Sequence, residues 1–333
     1  MNTTFDGGAS QDPRSIWLHR FAFFTAAMTF VLIFVGGLVK SHEAGMSVPD
    51  WPTSFGHNMF ALPFRMWMDN NAFYEHGHRL YASLVGFLIL VQAFWIQRSE
   101  TRTWVKRLGW AALVLVIVQG IFGGLTVMYY LPTAISSTHA GLAQTLFCLT
   151  LAISMVTSRS WKDAPTKIAE TSAWGLRRLT AITVGVIFLQ ILIGAVMRHE
   201  EAGLAIMDFP LAQGKLIPDF ATFGIAVHYT HRIGAVITTI FVIWTAFVAL
   251  RQYRGRTEFT RPAMFAIAMV LLQFTLGALT VLHVKAPTMT TLHVSGGAAT
   301  LGILMLMAIR ARHLLLPNTA SEDATAQVAV QNA

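Results

Sequence analysis

Two stretches decide the fold of this chain: VGGLVKSHEAGMSVPDWP at 35–52 and IGAVMRHEEAGLAIMDFP at 193–210. Set 158 positions apart, they match at Gly36 and Gly194, Lys40 and Arg198, Glu43 and Glu201, Asp50 and Asp208, and Pro52 and Pro210. Ala44-Gly45 likewise matches Ala202-Gly203. Two more pairs follow in the same order: EHGHR at 75–79 with HYTHR at 228–232, and QGIFGGLTV at 119–127 with QFTLGALTV at 273–281. Agreement of this kind is hard to obtain from apolar composition alone, so the chain reads as an internal duplication.

Each copy carries four long apolar segments. The first holds Ile16–Val39, His76–Ile96, Gly109–Tyr130 and Thr138–Thr157; the second holds Leu179–Met197, Ala226–Leu250, Ala263–Leu282 and Leu292–Ile309. Each approaches or exceeds the roughly 20 residues that cross a bilayer. Lipid offers no partner to backbone N–H and C=O groups, so each is expected as a helix, and no alternating pattern suggests a barrel. Only 12% of the 333 residues are charged, about half the usual share for a soluble domain. The expected fold is therefore an all-α integral membrane protein with eight transmembrane helices in two pseudo-symmetric four-helix bundles. Both copies begin on the same side, so the repeat is parallel, with its axis along the membrane normal. The expected divisions are an N-terminal bundle over 16–158, a cytoplasmic linker over 159–178, a C-terminal bundle over 179–312 and a polar tail over 313–333.

The net charge of +8 is a topology signal rather than a nucleic-acid footprint. Arg14, Arg20, Arg98, Arg102, Lys106, Arg107, Arg159, Lys162, Lys167, Arg177, Arg178, Arg251, Arg254, Arg256, Arg261, Arg310 and Arg312 fall on the side of the termini. The loops on the other side hold only Lys40, Arg65, Arg198, Lys215 and Lys285. The positive-inside rule then puts both termini in the cytoplasm. No small-residue cleavage site follows the first apolar segment, which reads as a retained helix. The lone Cys148 lies inside a segment and excludes both an intramolecular disulfide and a cysteine metal cluster.

The residues that carry chemistry are His78, His139, His231 and His293, one near the outer start of each even-numbered segment. His78 and His139 are 61 residues apart, and His231 and His293 are 62 apart. Each copy thus presents two imidazoles at one depth, the donor set of a six-coordinate heme iron. Ionisable groups inside a bilayer are costly and functional by default. Zinc or copper sites would want carboxylate or thiolate partners that these helix ends lack. Arg79 and Arg232 follow two of the histidines. They suit pairing with heme propionates, or else snorkelling to the headgroup boundary. Glycines 36, 37, 123, 124, 194, 277, 296 and 297 either let helices approach closely or leave room for a flat macrocycle.

The copies differ at one telling place. Glu75 stands three residues before His78, whereas His228 stands three before His231. A carboxylate can stabilise developing positive charge or move protons, so one reactive and one electron-transfer site are expected. The first outer loop, Lys40 to Tyr74, is long, aromatic and suited to capping the first pocket. A di-heme electron-transfer cytochrome of the b type is the alternative, but it favours hemes at both membrane faces. A heme-handling module is another, and it leaves Glu75 against His228 unexplained.

The GG-L-V segment leading to AGMSVPDWP, the Glu75-x-x-His78-Arg79 motif and the duplicated histidine pairs resemble the heme A synthase family over nearly the whole chain. The resemblance implies an oxidoreductase of the bacterial plasma membrane that oxidises the C8 methyl group of heme O to the formyl group of heme A, for cytochrome c oxidase. It implies that His78 and His139 hold the substrate and that His231 and His293 hold a permanent heme b cofactor. Glu75 matches the family glutamate that supports a cationic intermediate at the methyl carbon. Heme O synthase, cytochrome c oxidase assembly factors and a second copy of the chain are the implied partners. Lys40 stands where many members have arginine. Val48 and Ser54 lie where some members carry a cysteine pair, so any role of that disulfide is absent here.

Overall fold

The computed structural model describes residues 13–68, 71–163, 167–170 and 174–317. Eight long helices dominate: α1 Pro13–Ser41, α2 Ala72–Ser99, α3 Thr103–Met128 and α4 Thr133–Thr157, then α5 Leu176–His199, α6 Phe223–Gln252, α7 Thr257–Leu282 and α8 Pro287–Leu314. All eight are long and apolar enough to cross a membrane. Buried hydroxyls do not break them, because Thr25, Thr29, Thr180 and Thr183 each donate back to a carbonyl one turn earlier.

The helices run longer than the apolar segments alone suggest, and the extension is greatest at the starts. Thr133 begins α4 and Pro287 begins α8, each five residues before the expected apolar start. Proline suits this first position because its missing N–H would have no helical partner. This corrects the expected depth of the histidines. His78, His139 and His293 come six residues after their helix starts and His231 eight after, nearly two turns or more inside rather than in the first turn.

Packing closes two rings. In one, α1 and α3 each pack on both α2 and α4; in the other, α5 and α7 each pack on both α6 and α8. The histidine-bearing helices therefore stand at opposite corners of each ring. The rings meet where α1 lies on α8 and α4 lies on α5 and α8. Cys148 is buried in α4. Apolar cores fill the end of each ring nearer the termini, around Leu18, Ile89 and Ile153 in one and Leu179, Phe259 and Leu304 in the other. The end under the long loops carries the four histidines and the glycines beside them, with a smaller apolar cluster of Ile206, Ala212 and Ile225 under the second loop.

The linker has more structure than a polar loop. It holds a short helix, Arg159–Lys162, and a strand β1, Ile168–Ala169, which pairs in parallel with β2, Leu315–Leu316. Leu314 and Leu315 are buried. The chain after α8 is thus tied down through Leu316 rather than released at 313. Linker positions 164–166 and 171–173, and the expected tail from Asn318 to Ala333, lie outside the described residues.

Candidate functional site

Each histidine meets a glycine on the helix before it. A Cβ added at Gly36 would come 3.1 Å from His78 Cε1, and one at Gly123 3.2 Å from His139 Cε1. At Gly194 it would come 2.8 Å from His231 Cε1, and at Gly277 3.1 Å from His293 Cε1. Such approaches are tighter than side chains normally tolerate, so the glycines let an imidazole edge lie against the neighbouring backbone. Four positions singled out for their glycines are therefore explained by a ring contact and not only by helix packing.

In the second ring the His231 and His293 rings lie nearly perpendicular, at 82°, with centroids 6.2 Å apart. Two imidazoles each bonded through nitrogen at roughly 2 Å to one metal have about that separation. In the first ring His78 and His139 lie within electrostatic reach of one another. Both have a buried Nδ1 without a hydrogen-bond partner. An orphaned buried polar atom in a protein interior calls for an explanation, and a site built to hold a bound group is one. The donor set, the depth and the glycine cradles fit a flat iron macrocycle in each ring. Among the described residues, no group of three or more His, Cys, Asp or Glu is placed to hold a bare metal ion.

Glutamines complete the surroundings, and the apolar reading of the sequence overlooked them. Gln119 donates to the His139 carbonyl at 3.0 Å, and Gln190 to the His231 carbonyl at 2.8 Å, with its amide 3.0 Å from His231 Nδ1. At position 273 it is the backbone carbonyl, not the side chain, that lies 3.1 Å from His293 Nδ1. Gln119 and Gln273 open the QGIFGGLTV and QFTLGALTV repeats, so their signal was present; Gln190 has Leu32 as its counterpart.

The loops over the two rings are built alike. Asp50 accepts from the amides of Phe55 and Gly56 at 2.7 and 2.9 Å, and Asp208 from those of Gln213 and Gly214 at 2.8 and 2.9 Å. Partial burial works against the charge of Asp50. The Thr53 hydroxyl and these amides more than offset it and hold its carboxyl below the ordinary value. The amides of Gly214 and Gln213 do the same for Asp208.

Arg79 and Arg232 belong to this loop architecture. Arg79 donates to the carbonyls of Val48, Asp50 and Thr53 at 2.7, 2.6 and 3.1 Å, and to Glu75 Oε1 at 2.6 Å. Arg232 donates to the carbonyls of Ile206 and Leu211 at 2.9 and 2.8 Å. Val48 and Ile206, like Thr53 and Leu211, are 158 positions apart. Both guanidiniums thus clasp equivalent carbonyls, and an incoming carboxylate would compete with those bonds.

Glu75 and His228 occupy equivalent places in the clasp. Glu75 is buried, and its Oε2 accepts from the Val48 amide at 2.8 Å; the Ile206 amide lies 3.3 Å from His228 Nδ1. Charge is therefore the chemical difference between two similar latches. Trp51, from the PDWP motif, lies against Gly124 of α3, where any side chain would collide with its indole. The first loop thereby reaches the glycine beside the one that faces His139. Its counterpart Phe209 packs edge-on against Phe274 at 5.9 Å.

Known proteins resemble this chain over most of its length. The family model described as Cytochrome oxidase assembly protein, COX15-CtaA, matches residues 19–305. A heme A synthase of Symbiobacterium thermophilum is 29% identical over 77% of this chain and 82% of its own length. One of Caulobacter vibrioides is 27% identical over 93% of this chain and 99% of its own, and one of Alkalihalophilus pseudofirmus 25% over 81% and 89%. The eight-helix chain is therefore a multi-pass membrane protein that belongs to the COX15-CtaA family of cytochrome oxidase assembly proteins, the heme A synthase family.

Proposed function

We propose that this chain converts heme O to heme A by oxidising the C8 methyl group to a formyl group. The observation that carries the assignment of roles is Glu75 against His228. Two loop clasps share their hydrogen bonds, and only the first places a carboxylate three residues from a ligand histidine. The first half, 16–158, is the substrate half, with His78 and His139 holding the iron of heme O. The second half, 179–312, holds a b-type heme through His231 and His293. When bound, that heme supplies one-electron redox chemistry.

The rest is the work of side chains. His78 and His139 fix the substrate by its iron, so the ring edge to be oxidised is presented in one orientation. Glu75, ion-paired with Arg79, keeps a negative charge where positive charge develops at the methyl carbon. The first loop, seated by Trp51 on Gly124, covers the pocket and excludes water. The two rings are related by a pseudo-two-fold axis along the membrane normal, with both termini cytoplasmic in a bacterial plasma membrane. Heme O is poorly soluble, so heme O synthase is the natural donor, and cytochrome c oxidase assembly factors the natural recipients of the product. A second copy of the chain is a further partner consistent with this reading; nucleic acid is not.

The test is chromatography of hemes extracted from membranes of a bacterium that makes heme O but no heme A, grown aerobically with this chain expressed. Heme A, or a hydroxylated precursor, is the expected new peak. Only heme B and unaltered heme O, from a folded and heme-loaded protein, would leave an electron-transfer or heme-handling role instead.

A further inference from the structure

Arg198 sits one turn beyond Gly194 on α5, hence on the helix face that meets His231. Its Nη2 donates to the Gly37 carbonyl at 2.9 Å and to Ser41 Oγ at 2.8 Å, both neutral acceptors on α1. Its Nε is buried with no partner at all. Glu201, whose charge reaches Arg198, gives one oxygen to Lys40 and the other to Lys285. Arg198 also lies in electrostatic reach of His293. A guanidinium in the span, bonded only to neutral groups and with a donor left over, is costly unless an anion joins it.

The first half has the same device in a different state. Lys40 stands one turn beyond Gly36, which faces His78, and it is neutralised by its ion pair with Glu201. Arg232, the arginine next to His231, is turned to the loop and bonded through both Nη atoms to its carbonyls.

We propose that Arg198 is the carboxylate anchor of the second site, taking a propionate of the heme held by His231 and His293. The inference rests on the heme reading given above. Binding in the second half is then reinforced by a charge-assisted hydrogen bond, whereas the equivalent cation of the first half is already satisfied. That difference suits a resident group in one half and an exchangeable substrate in the other.

Heme transfer from the purified full-length chain to excess apomyoglobin tests it, with ordinary heme and with heme dimethyl ester, which has no carboxylates. Arg198→Gln is expected to release ordinary heme about 10-fold faster or more, as losing a charge-assisted hydrogen bond implies. Arg198→Lys should stay near the unsubstituted protein. All three should release the ester at one rate. The unsubstituted chain should itself lose the ester faster than heme, a comparison that survives if Arg198→Gln fails to fold. Equal release of heme with and without Arg198, or equal acceleration for heme and ester, overturns the anchor. A chain that neither carries nor takes up heme overturns the heme reading, and the anchor with it.

Discussion

The two loop clasps of this molecule share a backbone plan and differ in charge. Asp50 and Asp208 cap matching turns, Arg79 and Arg232 hold matching carbonyls, and Glu75 and His228 meet the amides of Val48 and Ile206. A duplicated scaffold can keep its loops in place with either a carboxylate or an imidazole. The carboxylate is therefore not required by the fold, and its presence in one half points to chemistry there. Conversely, the second half places an unpaired arginine where the first has an ion-paired lysine. On the proposed reading, one half is equipped for reaction and the other for retention.

The strongest way to break this comparison is to remove a histidine from each half. His231→Ala should lose the resident heme completely, seen as loss of the low-spin spectrum of the purified protein. His78→Ala should keep that spectrum and make no heme A. Identical spectra from both variants would mean the halves do not divide the work.

Glu75 comes next. Glu75→Ala and Glu75→Gln should each lower heme A formation by about 100-fold or more, the usual cost of removing one group that stabilises developing charge. Bound heme should be retained, and in Glu75→Gln the amide oxygen can still accept from Val48. Full activity in Glu75→Gln would reduce Glu75 to a loop latch.

A glycine pair sharpens the comparison further. Gly194→Ala puts a methyl 2.8 Å from His231 Cε1, whereas Gly36→Ala puts one 3.1 Å from His78 Cε1. Displaced ligand rings typically weaken metal binding by about 10-fold or more. Gly194→Ala should accordingly raise the rate of heme loss, and Gly36→Ala should raise the substrate concentration needed for half-maximal rate. No change in heme loss from Gly194→Ala would show that the ring has room to move.

The smallest effect belongs to the caps. Asp50→Ala should lower thermal stability by about 1 kcal/mol, the worth of a hydrogen bond or two. Its depressed carboxyl sets the sign with pH. The contribution is present above the ordinary aspartate value and is lost as pH falls through the lower folded value. Melting curves in detergent at neutral and acid pH should show the substituted and unsubstituted chains converging in acid; a gap that widens in acid would contradict the capping role.

Much of this was legible in the chain itself. Bilayer length, hydrogen-bond closure and a sequence repeat specify eight helices, because lipid leaves the backbone no other partner. The four histidines stood out because ionisable groups are rare at that depth. Glu75 stood out because duplication supplies its own control at His228. Tertiary structure alone decided how those residues are surrounded. Arg79 and Arg232 read in the sequence as partners for propionates or headgroups; in the folded chain they also donate to carbonyls 21 to 31 positions away, contacts that no spacing in the sequence announces. Gln190 has no repeat partner to mark it. The orphaned Nε of Arg198 belongs to the seam between rings, where Arg198 reaches across to α1 and Lys40 and Lys285 claim Glu201. Periodicity and spacing report which groups share a depth. Which group satisfies which depends on distances between helices, and those are set when the rings pack.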